Sequence, residues 1–269
     1  MLVWKNTSTL DDFDEGIKFT DDKSKADIAL IGSKPFDIEN FPSLKGIFRA
    51  GIGKDNVPEQ TAKKRNILVR YPSKSTINII FNETASFTCS LIFRMLYHGL
   101  GTIEPWHKKN RRSLSSKKLL VVGNGNIGKR VAQRMSLFMS TKTFDIRDND
   151  IEDLPKLIEN ADCISIHIPK TKENNSFFDK EKLALMKKNS ILVNTSRGSL
   201  VDENALYNEI TNGRLRAAFD VFWEEPYQGK LSKINRDNFY MTPHIASTCN
   251  DFLLGCRKGL DNLMREIND

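Results

Sequence analysis

Short apolar, β-branched runs alternate with amphipathic stretches along most of the chain. The first half predicts strands at residues 2–5, 17–20, 26–31, 46–49 and 67–70, then a long helix over about 82–96. The second half predicts strands at 119–122, 142–145, 163–166, 190–194, 217–221 and 239–241, with helical segments between most of them and a closing helix over 252–267. Strands alternating with helices imply parallel sheets joined by crossover helices, an α/β class. The basic, Ser-containing stretch 108–118 reads as a connection into a new domain. The closing helix is expected to return to the first half, which makes the first domain discontinuous.

Composition narrows the function classes. With 269 residues and 39% hydrophobic content the chain can bury one large core or two smaller ones. No apolar stretch, 77–81 included, approaches the length of a membrane span, so no membrane partner is expected. Acidic residues arrive too early for a secretory leader, and the expected location is cytoplasmic. Cys89, Cys163, Cys249 and Cys256 are scattered, with no His cluster nearby; they read as small buried apolar residues, not a zinc site or disulfide framework. The net charge of +7 is dispersed, with short clusters only at 63–65 and 108–112. No nucleic-acid motif accompanies it, so the charge reads as solvated lysines that attract an anionic substrate and cofactor.

The densest chemical signal is Gly123-Asn124-Gly125-Asn126-Ile127-Gly128, a G-x-G-x-x-G that follows a strand and opens an amphipathic segment (Ile127, Val131, Met135). Gly123 permits the tight turn, Gly125 lets a pyrophosphate approach the backbone, and Gly128 lets the helix lie close to the strand. The N–H groups that open the helix, at Asn126 and Ile127, face the phosphate together with the positive end of the dipole. Asp145 lies twenty residues beyond Gly125, at the end of the next strand. A carboxylate there accepts from the ribose hydroxyls and repels a 2′-phosphate, which favours NAD over NADP. Arg147, two residues on, works against that preference. A methyltransferase with a similar loop and ribose acid stays open at this point.

Ligands of open parallel sheets bind at the carboxyl ends of strands. Three polar groups fall there. Arg197 follows the apolar run 191–194 and precedes a glycine; its fork can hold a carboxylate or a keto oxygen by two hydrogen bonds. Glu225 follows 219–222, and His244 follows 239–243. Taken singly, each is more ordinary as a surface ion pair, a solvated acid or a structural imidazole. Together they suit hydride chemistry at C2 of a 2-hydroxy or 2-oxo acid. Oxidation needs a base for the hydroxyl proton and reduction needs an acid, and His244 can be both. Glu225 would stabilise its imidazolium and fix the ring tautomer, while Arg197 would polarise the C2 oxygen.

These motifs resemble the D-isomer-specific 2-hydroxyacid dehydrogenase family, which includes phosphoglycerate dehydrogenases, glyoxylate/hydroxypyruvate reductases and D-lactate dehydrogenases. The likeness runs from about Leu44 to Thr248 through the glycine loop, Asn194-Thr195-Ser196-Arg197-Gly198, the block from Asp220 to Glu225-Pro226, and Pro243-His244. By resemblance Arg197, Glu225 and His244 are the catalytic trio. Thr195, Ser196 and Asp220 line the nicotinamide end, and His167 and Pro169 lie by the adenine. The segment 48–57 is similar to the family's substrate loop, where N–H groups at Ile52 and Gly53 hold the substrate carboxylate and Arg49 assists with a phosphate. Glu83 is expected to start a long interdomain helix that supports a homodimer.

The resemblance implies two doubly wound parallel-sheet domains with the active site in their cleft. A smaller, flavodoxin-like substrate domain would span 1–84 plus 248–269, and a Rossmann NAD-binding domain 85–247. The implied function is an NAD-dependent oxidoreductase acting on a small D-2-hydroxy acid of the glycerate, glyoxylate/hydroxypyruvate or 3-phosphoglycerate type, without metal. The alternative is an NAD(H)-sensing, corepressor-like module with little turnover. The chain departs from the family pattern in its shortened first domain, its brief segment after His244, and the asparagines at 124 and 126.

Overall fold

Apolar triplets and quartets become the strands of a parallel sheet at the start of the chain. The computed structural model describes residues 1–269 and divides into two units, Met1–Glu83 with Ser247–Asp269, and Thr84–Ala246. In the first unit β1 (Val3–Lys5), β2 (Ile28–Ile31), β3 (Gly46–Arg49) and β4 (Leu68–Arg70) form a four-stranded sheet in the order β1-β2-β3-β4. All three pairings are parallel. The expected strand at 17–20 is reduced to one parallel bridge, Val3 to Phe19, on the open side of β1. Counting that bridge, the order is the flavodoxin-like 2-1-3-4-5 with its second strand almost gone. The abbreviation foreseen in the sequence sits here. Between β1 and β2 there is no α-helix, only a three-residue 3-10 turn at Lys23–Lys25. Leu10, 1% exposed, fills core space from a turn segment instead. The helix α1 (Glu59–Lys64) lies between β3 and β4 in the chain.

The helix expected from Asn82 is α2 (Lys74–Leu96), which begins eight residues earlier, so Glu83 lies in its interior and not at its start. Its polar first turns, with Ser75, Thr76 and Asn78, mask the helical periodicity in the sequence. The Ser73 hydroxyl accepts from the Thr76 N–H, an N-terminal cap that the hydrophobic pattern alone does not reveal.

The second unit opens within this helix, at Thr84, and continues with a small antiparallel pair, β5 (Gly101–Thr102) and β6 (His107–Lys108). The stretch 108–118, read as a connection into a new domain, therefore lies inside the second unit. There follow β7 (Lys118–Val122), α3 (Asn126–Met135), β8 (Ser140–Phe144), α4 (Leu154–Asn160), β9 (Cys163–Ile166), α5 (Lys180–Leu185), β10 (Ser190–Asn194), α6 (Glu203–Thr211), β11 (Leu215–Phe219) and β12 (Phe239–Met241). The sheet order is β12-β11-β10-β9-β7-β8, with every pairing parallel. β9 and β10 are buried along their whole length, as strands covered on both faces must be. One face packs Leu120, Val122, Ile164, Ile166 and Leu192 against α4, α5 and α6; the other packs Leu119, Val121, Ile191 and Val193 against α2 and α3. β8 is an edge strand.

The closing helix α7 (Asn250–Asn268) belongs to the first unit. Phe252, Cys256, Leu260 and Leu263 recur at helical spacing and pack on Val3, Ile28, Leu30 and Phe48. No helix is long and apolar enough to cross a membrane. Cys89, Cys163 and Cys256 are buried free thiols and Cys249 is half-buried; burial pushes Cys89 up to about 11 and Cys163 and Cys256 up to about 12.

Candidate active site

β10, β11 and β12 are adjacent and parallel, so their carboxyl ends share one edge of the second unit's sheet. Arg197, Glu225 and His244 all follow those ends. The Arg197 turn is held by Asn194, a fully buried amide. Its Oδ1 accepts the Ser196 N–H (3.0 Å) and its Nδ2 donates to the Arg197 carbonyl (2.8 Å). Ser196 donates its hydroxyl to the Ile166 carbonyl, and the Thr195 hydroxyl bonds that of Thr88 at 2.8 Å. At Gly198 a Cβ would strike the Phe222 backbone, so the Arg197 turn lies flush against the loop that leads to Glu225. Phe222 donates its N–H to Glu225 Oε1 (3.2 Å).

The central contact is His244 Nδ1 on the Glu225 carboxylate, 2.8 Å to Oε2 and 3.0 Å to Oε1. The neutral ring that satisfies this carboxylate carries its proton on Nδ1, which leaves Nε2 as the nitrogen free to take or give a proton. His244 sits at φ 54°, a region uncommon for a residue with a side chain. Asp220 holds it there. Its Oδ1 accepts from the Thr242 hydroxyl (2.6 Å) and the Ile245 N–H (2.9 Å), and its Oδ2 accepts from the Ala246 N–H (2.9 Å). Burial pushes the Asp220 carboxyl up, and these three donors oppose that rise. Asp220, expected to line the nicotinamide end, is fully buried and braces the histidine loop.

At the other end of the edge, Gly123 (φ 99°) abuts the His167 backbone, and a Cβ on it would lie 2.5 Å from the His167 carbonyl carbon. A Cβ on Gly128 would run into the Gly123 carbonyl oxygen, while nothing lies within 4 Å of the corresponding point on Gly125. The loop is thus closed where helix meets strand and open where a pyrophosphate must approach, so these residues fit a dinucleotide. α3 starts at Asn126, with Gly125 as its cap residue. His167 Nε2 bonds the Ser165 hydroxyl at 2.8 Å, and its Nδ1 is buried without a partner. Burial pushes this imidazole down to about 3, so it is neutral across the physiological range. Pro169, two residues on, is exposed.

Asp145 lies one residue beyond β8. Arg147 grips it in a fork, Nε to Oδ1 and Nη2 to Oδ2, both 2.8 Å. That guanidinium holds the carboxyl well below the usual range. In the first unit, Arg49 is buried, and its guanidinium donates to the carbonyls of Ala50 (2.6 Å) and Gly53 (3.1 Å). It braces the loop that carries Ile52 and Gly53. Sequence reasoning gave no role to Asn194, Thr242 or Thr88. The available signal for Asn194 and Thr242 was a polar residue at the end of an apolar strand, because a buried polar group must find partners; Thr88, inside α2, carried none.

The family model for the D-isomer specific 2-hydroxyacid dehydrogenase NAD binding domain matches residues 101–246. The chain belongs to the D-isomer-specific 2-hydroxyacid dehydrogenase family. This dehydrogenase is 34% identical over 229 residues to the hydroxypyruvate reductase of Thermotoga maritima, covering 78% of this chain and 73% of that one. It is 34% identical over 231 residues to the D-3-phosphoglycerate dehydrogenase of Methanocaldococcus jannaschii, covering 78% of this chain but only 43% of the relative. In fold it is similar to D-lactate dehydrogenase from Aquifex aeolicus, solved with NAD and lactic acid, with a TM-score of 0.80 and 24% identity over 100% of this chain and 95% of that one. The chain is an NAD-dependent oxidoreductase that acts between a 2-hydroxy acid and its 2-oxo acid.

Proposed function

We propose that this dehydrogenase interconverts a small D-2-hydroxy acid and its 2-oxo acid through Arg197, Glu225 and His244, with substrates of the glyoxylate, hydroxypyruvate or 3-phosphoglycerate type. The observation that carries the reading is the His244–Glu225 pair, with Nε2 uncommitted at the carboxyl edge of the sheet. When bound, NADH supplies the hydride that reaches C2. His244 Nε2 delivers the proton to the C2 oxygen in reduction and removes it from the hydroxyl in oxidation. Glu225 keeps Nδ1 protonated and stabilises the imidazolium. Arg197 donates to the C2 oxygen and orients the acid. The N–H groups of Ile52 and Gly53 anchor the substrate carboxylate, on a loop kept in shape by Arg49. Thr195, Ser196, residues 123–128, Asp145, His167 and Pro169 form the dinucleotide side.

The same reading includes a homodimer and a cytoplasmic setting. Ile103 (77% exposed) and Trp106 (78%) lie in the small β5–β6 segment, with Leu100 and Tyr97 also exposed close by in the chain. Large apolar groups exposed together suit burial against a second copy, and free thiols suit a reducing compartment. The test is NADH oxidation over a panel of glyoxylate, hydroxypyruvate, 3-phosphohydroxypyruvate and pyruvate. Saturable turnover on at least one is expected, and its absence across the panel would overturn the proposal.

A further inference from the structure

The Asp145 carboxylate has no acceptor position to spare. Its Oδ1 takes the Arg147 N–H (3.1 Å) and Arg147 Nε (2.8 Å). Its Oδ2 takes Arg147 Nη2 (2.8 Å) and the Asn124 N–H (2.8 Å). Two carboxylate oxygens offer about four lone-pair directions, and four donors fill them. An acid that selects NAD does so by accepting from the adenosine ribose hydroxyls and by presenting unbalanced negative charge to a 2′-phosphate. Here neither condition holds while Arg147 stays in place. The charge is paired, and the acceptors are occupied.

The partner is built to leave. Arg147 is on the surface, its side chain 66% exposed against 11% for Asp145. Because the guanidinium side of the pair lies in solvent, it can exchange this carboxylate for another partner without opening a buried contact. The acid is fixed, by contrast. The Asn149 side chain accepts the Asp145 N–H (3.0 Å), and the Asn124 N–H ties the carboxylate to the glycine loop. One anchored carboxylate therefore sits beneath one solvent-exposed guanidinium.

The geometry points to Arg147 as a swinging specificity residue that lets this dehydrogenase take NADPH as well as NADH. With NADH, the ribose hydroxyls displace the guanidinium from Asp145. With NADPH, the guanidinium keeps its hold on Asp145, so that charge stays paired, and offers its remaining Nη hydrogens to the 2′-phosphate as a planar fork. This inference rests on Asp145 being the ribose residue of the proposed dinucleotide site.

The test uses the full-length protein without substrate. NADH and NADPH are titrated by fluorescence, and 2′-AMP and 5′-AMP compete against bound NADH, in the wild type and in Arg147→Ala. The wild type is expected to bind the two dinucleotides within about tenfold of each other. In R147A, NADPH and 2′-AMP should weaken by about 10- to 100-fold, the scale of a lost hydrogen bond to a charged group, while NADH holds or tightens. Wild-type binding of NADH alone, or an R147A variant whose NADPH affinity is unchanged, overturns this inference and leaves the dinucleotide site standing. Binding of neither dinucleotide overturns both.

Discussion

Substituting Asp220 by Asn keeps the side-chain volume and removes the brace beneath His244. The carboxylate accepts three donors, from Thr242, Ile245 and Ala246, at 2.6 to 2.9 Å. An amide has one acceptor oxygen, so in either orientation its NH2 faces a backbone N–H. One hydrogen bond to a charged group, worth ~1.5–3 kcal/mol, is lost, and one poorly solvated N–H is orphaned at ~1–3 kcal/mol. Relief of the carboxylate's own burial offsets part of this. The net expectation is a loss of ~2–4 kcal/mol, read as a lowered urea midpoint at constant slope. The catalytic effect should be larger than a stability change implies. His244 is held at φ 54°, a backbone state that costs ~1–3 kcal/mol and persists only under restraint. Once released, the ring shifts, and a misplacement of about 1 Å costs ~10² in rate. Steady-state kinetics of D220N should therefore show kcat down about a hundredfold with NADH affinity nearly unchanged. A variant with kcat within about threefold of wild type and an unmoved urea midpoint would refute the account of how His244 is positioned.

Three further outcomes follow from the same geometry. Replacing His244 by Ala should lower kcat at least ~10²-fold while NADH still binds, because only the proton donor is removed; near-full turnover would remove it from the mechanism. Gly128→Ala drives a Cβ into the Gly123 carbonyl, so stability should fall by ~1–3 kcal/mol and NADH affinity should fall with it, as measured by fluorescence titration. Burial depresses the His167 imidazole from 6.5 to about 3 in the folded protein. The unfolded chain therefore takes up a proton that the folded one refuses, and stability is full above 6.5 and falls as pH drops from there towards 3. Tm measured from pH 7 to 4.5, above the range where paired carboxylates titrate, should decline less steeply in His167→Asn than in wild type; parallel curves would refute the assignment.

Most of the second unit was legible in the sequence, for a physical reason. A central parallel strand is buried on both faces, so Cys163–Ile166 and Ser190–Asn194 read as predominantly apolar runs without period-two alternation, and their bounds match the observed strands. The glycine loop and the strand-end trio were legible because backbone closeness and proton transfer each admit few residue types. The first unit was harder. Residues 17–20 have the composition of a strand, but only Phe19 bridges, because the neighbouring segment supplies Leu10 to the core without a helix to set the register. The start of α2 was hidden because Ser75, Thr76 and Asn78 interrupt its apolar periodicity. Asp220 illustrates the deeper limit. Its residue type suits a place beside the cofactor, and only its partners Thr242, Ile245 and Ala246 reveal that it also braces the His244 loop.

The discontinuity of the first unit has a temporal consequence. Val3, Ile28, Leu30 and Phe48 leave the ribosome well before their cover, from Phe252 to Leu263. At ordinary elongation speeds that interval is on the order of 10–40 s. The second unit lies between the two segments of the first and is complete before it, so this hydrophobic face stays unsheltered while the whole second unit is made. Chaperone demand during synthesis should accordingly concentrate on the sheet that α7 covers, and a stop codon before α7 should expose that face permanently.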